Sequence, residues 1–100
     1  MSALVITGAS SFLGRALLAT LPAGVFPELR ILVHHKRPQG LLPGSRVITV
    51  DGDLLKPDTL RELIAPDSTV VHLAYLATAH PDEDNVAAVR NLLAACQDAG

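Results

Sequence analysis

The stretch that decides the fold is LVITGASSFLG, from Leu4 to Gly14. It opens with a short apolar run, is interrupted by glycine and serine, and leads into the helical stretch RALLATL. The pattern predicts a buried strand, a tight loop and a helix. Such a loop presents the free N–H groups and the positive dipole end of the helix, which together favour a phosphate or pyrophosphate. A plain turn between strand and helix is the alternative.

The spacing inside the loop is G-x-x-S-x-x-G, with Gly8 first, Ser11 in the middle and Gly14 last. Gly8 permits a turn with positive φ, and Gly14 allows the helix to pack closely on the strand. Ser11 leaves the backbone less room than a glycine would, but its hydroxyl can donate to a phosphate oxygen. The residues expected to contact a pyrophosphate are Gly8, Ser10, Ser11, Phe12, Leu13 and Gly14.

TGASSFLG resembles the TGxxGxxG loop of the short-chain dehydrogenase/reductase superfamily, in particular the TGAxGFxG form of its extended branch, the NAD(P)-dependent epimerases and dehydratases. The departure is Ser11, which stands at the second glycine of the family. Three further segments resemble family motifs in the same order, namely GDL from Gly52, VVHLAYLAT from Val70 and DNVAAVRNLLAACQDAG from Asp84. The four motifs together cover nearly the whole chain.

The composition is typical of one globular α/β domain. The chain has 100 residues, of which 49% are hydrophobic and 18% charged, a balance that favours a packed core over disorder. A net charge of −2 and three aromatic residues argue against a nucleic-acid surface. We see no apolar run of membrane-spanning length and no signal peptide. A single cysteine, Cys96, favours a reducing, cytoplasmic location.

Apolar runs alternate with helical patterns along the chain. The predicted strands are Leu4–Ile6, Ile31–Val33, Val47–Val50 and Thr69–Leu73. Helices are predicted at about Ser11–Leu21, from Pro57 with an apolar face of Leu60, Leu63 and Ile64, and at about Asp84–Ala99. The basic segment 34–45 is either a loop or contains one helical turn.

The two longer helices each show apolar residues at helical spacing, which we expect to face the core. In the first helix these are Phe12, Leu13, Ala16, Leu17 and Leu21. In the last helix they are Val86, Val89, Leu93 and Cys96, with Leu92 beside them.

Strands that are apolar on both faces and alternate with helices predict a parallel sheet covered on both sides. Right-handed crossovers give the strand order 3-2-1-4. We therefore expect an α/β, Rossmann-type doubly wound fold, in which residues 1–100 form the N-terminal part of a dinucleotide-binding domain. We expect that domain to be incomplete, because strand four would be an exposed apolar edge.

In such a sheet, ligands bind beyond the carboxyl ends of the strands, at the crevice between strands one and four. The segment HHKRPQ follows strand two, and His34 occupies the position where an NAD enzyme commonly places an acid for the ribose 2′-hydroxyl. The cationic side chains of His34, Lys36 and Arg37 instead favour a 2′-phosphate, so we expect NADP, with NAD possible. A solvated basic loop is the alternative.

The resemblance assigns further cofactor contacts after strands three and four. It implies that Asp53, followed by Leu54, accepts a hydrogen bond from the adenine amine. The alternative for Asp53 is a turn or capping aspartate. The resemblance also implies backbone contacts from Leu73 and Ala74. We interpret His72 as a core or supporting histidine rather than a catalytic base.

The resemblance implies the cofactor-binding part of an oxidoreductase, epimerase or dehydratase that transfers hydride on a nucleotide sugar or similar carbonyl or alcohol substrate. The family's catalytic Tyr-x-x-x-Lys pair is missing, because the only tyrosine is Tyr75 and Ala79 stands four residues on. We assign no catalytic or metal-binding residue and expect the N-terminal part of a longer enzyme. A non-catalytic NAD(P)-sensing module and a structural α/β domain are the alternatives. Small-molecule substrates are the expected partners, and a homodimer through the last helix is possible.

Overall fold

The chain folds around one parallel sheet. The structure, a computed structural model, describes residues 3–22, 25–34 and 46–100. Its strands are β1 (Ala3–Thr7), β2 (Glu28–Val33), β3 (Arg46–Asp51) and β4 (Ser68–His72), and its helices are α1 (Phe12–Thr20) and α2 (Pro81–Ala99), with a 3-10 turn at Pro57–Leu60. The four strands are parallel in the order β3-β2-β1-β4, which confirms the predicted doubly wound α/β fold.

The register of the sheet brings the carboxyl ends of the strands to one edge. Thr7 at the end of β1 lies opposite His72 at the end of β4. On the other side, Val33 at the end of β2 lies opposite Asp51 at the end of β3. The segments that leave these four ends therefore lie side by side, as a ligand site at this edge requires.

The core has two layers, one on each face of β1. Leu4 and Ile6 pack with Leu18 of α1 on one face. Val5 packs with Leu60 and the α2 residue Leu92 on the other. Burying an aliphatic side chain of this size contributes about 1.5–3 kcal/mol. Because every residue of β1 is buried, this strand is the centre of the fold.

β2 is longer than the predicted strand, since it begins at Glu28 rather than Ile31. The sequence pattern misses its first half because two charged residues occur there. Arg30 lies on the α2 side of the sheet, where its Nε donates to the carbonyl of Leu63 at 2.7 Å, another guanidinium nitrogen donates to the carbonyl of Glu62, and Nη1 pairs with Glu28 at 3.2 Å. These contacts satisfy a half-buried guanidinium inside a strand.

The predicted apolar face of α1 is wrong for Phe12, Leu13 and Ala16, which are exposed. Gly14 and Leu18 are buried instead. Leu17 and Leu21 pack partly against the core, as expected. The first turn lies so close to the loop before it that the glycine, rather than a large side chain, occupies the contact.

The predicted stripe on α2 is wrong for three of its residues. Val86, Val89 and Leu93 are 50%, 41% and 57% exposed. As predicted, Leu92 is buried and Cys96 packs partly against the core. The helix also buries Ala88, and its further partly buried contacts are Ala95 and Ala99.

The segment between β3 and β4 contains only a 3-10 turn at Pro57–Leu60, shorter than the predicted helix. Its predicted apolar face is nevertheless buried, with Leu60 and Leu63 fully enclosed and Ile64 8% exposed. Of the basic segment 34–45, the structure describes His34 alone. Across the described ranges, no helix has the length and apolar character needed to cross a membrane.

Candidate cofactor-binding site

The site begins at the turn that follows β1, where Gly8 has a positive φ of 74°. A Cβ atom at this position would lie 2.6 Å from the backbone nitrogen of Ala74 and 2.7 Å from the carbonyl carbon of Leu73. Both the backbone conformation and the contact therefore require glycine, as the sequence pattern predicts. Gly8 lets the segments after β1 and β4 touch.

Gly14 serves the second predicted purpose, the close packing of α1. A Cβ atom there would lie 2.7 Å from the Cα of Ala9 and would also collide with the carbonyl oxygen of Gly8. The first turn of the helix is thus pressed against the loop that precedes it. This contact fixes the direction of the helix N-terminus relative to the strand.

Ser11 caps α1 in this structure. Its Oγ donates to the carbonyl of Gly8 at 2.5 Å and accepts from the Gly14 N–H at 3.1 Å. The hydroxyl proton predicted to reach a phosphate oxygen is therefore already engaged with Gly8, and phosphate contact through it would break that bond. Ser11 has φ −71° and ψ 169°, an ordinary extended conformation, so the missing glycine does not strain the loop.

The helix N-terminus keeps free donors for an anion. The Gly14 N–H is taken by the cap and the Arg15 N–H by the Ser11 carbonyl. The N–H groups of Phe12 and Leu13 donate no hydrogen bond to the described residues, as expected for the first helical positions. The first turn contains no acidic side chain. Two backbone donors and the helix dipole can thus act on one phosphate.

A cleft of about 290 Å³ opens beside this loop, at the carboxyl edge of the sheet. Its volume is near the lower end of the range of small-molecule pockets, about 300–1,000 Å³. The residues that line it come from all four strand ends and are Gly8, Ala9, Ser10, Leu32, His34, Asp53, Leu54, Ala74 and Leu76. Six of the residues predicted for the cofactor site thus meet in one cleft.

His34 and Asp53 face each other across one end of the cleft. The Nε2 of His34 lies 3.6 Å from the Oδ2 of Asp53, and their side chains are 48% and 22% exposed. The other carboxylate oxygen, Oδ1, accepts the Leu55 N–H at 2.9 Å. Asp53 therefore holds its turn with one oxygen, as the turn interpretation has it, and its residue lines the cleft; the adenine contact stays a prediction.

Thr59 fixes the backbone of Asp53 from below. Its Oγ1 accepts the Asp53 N–H at 2.9 Å and lies 3.0 Å from the Asp53 carbonyl. On α2, Asn91 donates to the carbonyl of Leu54 at 2.8 Å. These contacts hold the turn after β3 in a defined position.

The wall after β4 is held by Asn85 of α2. Its Oδ1 accepts the Leu76 N–H at 2.9 Å, and its Nδ2 donates to the carbonyls of Leu76 at 3.0 Å and Pro81 at 2.7 Å. Ala74 lies in the cleft as predicted, and the Leu73 N–H donates to the carbonyl of Thr7 at 3.0 Å. Tyr75 is 71% exposed and does not line the cleft.

Sequence reasoning missed three residues that line the cleft. Ala9, Leu32 and Leu76 line the cleft without having been predicted. Leu32 was within reach, because alternation along β2 places it on the side opposite Ile31. The predicted phosphate ligands Lys36 and Arg37 lie outside the described residues.

Beneath the cleft, His72 forms a hydrogen bond with the fully buried Thr7. Its Nδ1 lies 2.5 Å from the Thr7 Oγ1. Burial lowers the pKa of His72 below its usual value of 6.5. The ring thus lies under the turn after β1 with Thr7 as its partner, and its supporting role at a cofactor site stays a prediction.

The family model of the NAD dependent epimerase/dehydratase family matches residues 4–100. The chain belongs to this family. The match includes the glycine loop, the Asp53 turn and α2, so this epimerase/dehydratase family member carries the resemblance over nearly its whole length. No match was found among curated proteins.

Solved structures similar to this epimerase/dehydratase family member include uronate dehydrogenase from Agrobacterium tumefaciens, with a TM-score of 0.73 and 25% identity over 98% of this chain and 37% of that chain. A mutant of that enzyme complexed with NAD gives the same values. A candidate epimerase from Burkholderia cenocepacia J2315 has a TM-score of 0.69 and 31% identity over 94% of this chain and 32% of that chain. The chain thus spans about a third of the length of these proteins.

Proposed function

We propose that the chain binds a nicotinamide dinucleotide across the carboxyl ends of its strands, with the pyrophosphate on the loop between β1 and α1. The observation that carries this proposal is the pair of free N–H groups of Phe12 and Leu13 at a helix N-terminus without acidic side chains. Gly8 and Gly14 support it, because both lie where a side chain would collide with backbone. The similarity to a dehydrogenase solved with NAD supports it as well.

The adenosine half of the cofactor would lie toward β2 and β3, where His34 and Asp53 meet in the cleft. Asp53 Oδ2 is an acceptor suited to the adenine amine. We propose NADP as the preferred cofactor, because Lys36 and Arg37 follow His34 in the sequence and could bind a 2′-phosphate. NAD remains the second choice.

A fluorescence titration of NADPH and NADH against the chain, at one fixed salt concentration, tests both parts. We expect NADPH to bind more tightly, and Arg37→Ala to remove that preference while leaving NADH binding unchanged. Arg61→Ala, at an exposed position on the segment after β3, is the matched control and should change neither. If neither cofactor binds, the dinucleotide proposal fails. If the wild type binds NADPH and NADH with equal affinity, only the proposed 2′-phosphate site in the basic segment fails.

For the whole protein we propose an oxidoreductase, epimerase or dehydratase that transfers hydride between this cofactor and a nucleotide sugar or similar carbonyl or alcohol compound. Membership of the epimerase/dehydratase family and the similarity to a dehydrogenase support this activity. The alternative is a non-catalytic NAD(P)-sensing module on the same fold, which would differ from the enzymes in having no Tyr-x-x-x-Lys pair. Activity is tested by incubating the full gene product with a panel of nucleotide sugars and uronates, and following both NAD(P)H absorbance and the products by chromatography. Absorbance detects net oxidation or reduction, and chromatography detects an epimerase or dehydratase that regenerates its cofactor. Turnover supports the enzyme, and tight binding without turnover supports the sensor.

We also infer that a second copy covers the outer stripe of α2, formed by Val86, Val89 and Leu93. Glu83 and Arg90 lie two helical turns apart on one side of this stripe. In an antiparallel two-fold pair, like edges of the helices meet, so each glutamate would face the partner's arginine. Sedimentation of the chain should show a dimer that Val89→Glu dissociates. Asp98→Lys, at an exposed position near the end of α2 and off the stripe, should leave the dimer intact, and a wild-type monomer at high concentration would refute the pairing.

A further inference from the structure

The buried hydroxyl of Thr7 connects two strands directly under the cofactor loop. Thr7 is fully buried, and its Oγ1 lies 3.4 Å from the backbone nitrogen of Ala74, which donates to it. The same oxygen lies 2.5 Å from the Nδ1 of His72. A hydroxyl has one proton to donate and can accept from other donors. With Ala74 as the donor to Thr7, the hydroxyl proton is available for His72.

This proton count selects one form of the histidine. If the Thr7 hydroxyl donates to His72, Nδ1 must be unprotonated and the imidazole neutral, with its proton on Nε2. A protonated ring would present Nδ1–H to the same oxygen. Thr7 would then receive two donors, and its own proton would need a new acceptor inside a buried site. The neutral Nε2–H form is therefore the one in which the Thr7 proton has an acceptor among these contacts.

The hydroxyl also sets the position of the loop above it. The backbone nitrogen of Ala74 lies close to Gly8: a Cβ atom built on Gly8 would be 2.6 Å from this nitrogen. Ala74 itself lines the cleft. Moving the Ala74 backbone by a few tenths of an ångström would therefore shift both the floor of the cleft and the turn that leads to the free N–H groups of α1.

We propose that His72, in its neutral Nε2–H form, is a positioning residue of the cofactor site, which fixes the Thr7 hydroxyl and through it the Ala74 backbone beneath Gly8. The proposal rests on the proposed cofactor binding. Protonation of His72 would reverse the hydrogen bond, release Ala74 and weaken the dinucleotide. Binding should therefore decline in acid through a residue that does not touch the ligand.

Few charged groups share this face of the sheet with His72. α2 presents Asn85, Ala88, Leu92 and the Cys96 thiol to it, and the segment after β3 presents Leu54, Leu60, Leu63 and Ile64. Ionisable side chains of the neighbouring segments have partners of their own: Arg30 pairs with Glu28, Asp53 lies beside His34, Arg61 pairs with Asp58, and Asp84 accepts from Thr78. Within the described part of the chain, no carboxylate pairs with His72. Burial without a counter-charge lowers the pKa of the ring, which keeps it neutral at neutral pH.

The histidine form can be measured without any cofactor. Long-range ¹H–¹⁵N correlation spectra distinguish a protonated from an unprotonated ring nitrogen, and His72→Asn identifies the His72 signals among the four histidines. At pH 7.5 we expect an unprotonated Nδ1 and a protonated Nε2, and the Ala74 amide signal should move as the ring titrates. A ring protonated on Nδ1 at pH 7.5, or an Ala74 amide insensitive to that titration, would overturn the proposal.

The effect on binding is tested with NADPH at pH 7.5 and pH 5.5. Losing one hydrogen bond weakens binding by about fivefold, so the wild type should lose up to about fivefold more affinity in acid than His72→Asn. Asparagine keeps an acceptor near the place of Nδ1 but cannot titrate. His72→Gln places its amide near Nε2 instead and should bind about fivefold more weakly at both pH values.

His34 is unchanged in all of these variants, so a difference between their pH ratios does not come from His34. His80→Asn, at the exposed start of α2, should retain the wild-type pH ratio. Equal pH ratios for wild type and His72→Asn would contradict the proposal. If NADPH binds to none of the proteins, the proposed function fails. The NMR signals of the His72 ring nitrogens and of the Ala74 amide then still test whether His72 positions the Ala74 backbone.

Discussion

Replacing Gly8 by alanine tests the turn on which the whole site depends. The residue has φ 74°, a region that costs an L-amino acid about 1–2 kcal/mol. The new Cβ would lie 2.6 Å from the nitrogen of Ala74 and 2.7 Å from the carbonyl carbon of Leu73. Both atoms are backbone and cannot swing away, so overpacking adds about 1–3 kcal/mol. We therefore expect Gly8→Ala to lower the free energy of unfolding by about 2–5 kcal/mol.

Urea denaturation followed by far-UV circular dichroism measures this loss. Gly100→Ala is the control, because Gly100 also has a positive φ, of 86°, but no atom within 4 Å of its added Cβ. Without that contact only the cost of the positive φ remains, so Gly100→Ala should lower the free energy of unfolding by no more than about 1–2 kcal/mol. A Gly8→Ala protein within about 1 kcal/mol of the wild type would refute the close approach of the two strand ends.

Three further predictions follow from other contacts. Arg30→Met removes the donors to Leu63 and Glu62 from a guanidinium that is 15% exposed, so urea denaturation should show a loss of about 2 kcal/mol. Arg61→Met, whose pair with Asp58 is 78% and 88% exposed, should change stability by less than about 0.5 kcal/mol, and equal losses would contradict the clamp at Arg30. Asn85→Leu should speed amide hydrogen exchange at Leu76, and an unchanged rate would show that other contacts hold this wall. Because burial lowers the pKa of folded His72 below 6.5, its contribution to stability is complete above pH 6.5 and is lost as the pH falls through the folded pKa. The urea midpoint should fall less in acid for His72→Asn than for the wild type, and equal falls would contradict this.

The parts predicted correctly from sequence are those that local chemistry determines. A buried β-branched run followed by Gly8, Ser11 and Gly14 leaves the chain few conformations other than strand, tight turn and capped helix. Strand order follows from the handedness of the crossovers, which does not depend on sequence detail. Hence the sheet order and the location of the cleft could both be predicted.

The helix faces could not be predicted in the same way. Apolar periodicity favours large side chains such as Val89 and Leu93, but the buried residues of α1 and α2 include Gly14 and Ala88. Small residues carry a weak hydrophobic signal even where they are fully buried. The outward-facing valines and leucine of α2 then resemble a core stripe.

Contacts between distant parts of the chain were also out of reach. The Thr7–His72 hydrogen bond joins residues 65 apart, and the Asn91–Leu54 bond joins residues 37 apart. No local pattern specifies such pairs, since they depend on the register of β1 with β4 and on the position at which α2 packs. The sequence suggested a supporting role for His72, but its partner and its protonation state required the structure.

The central claim, that a dinucleotide phosphate lies on the loop between β1 and α1, is tested most directly by mapping amide chemical shifts in ¹H–¹⁵N spectra while NADPH is added. We expect the largest changes at the backbone amides of Phe12 and Leu13, with smaller ones at Asp53 and Ala74 on the cleft walls. Saturable changes confined to α2 or to the segment after β3, with the Phe12 and Leu13 amides unmoved, would contradict it.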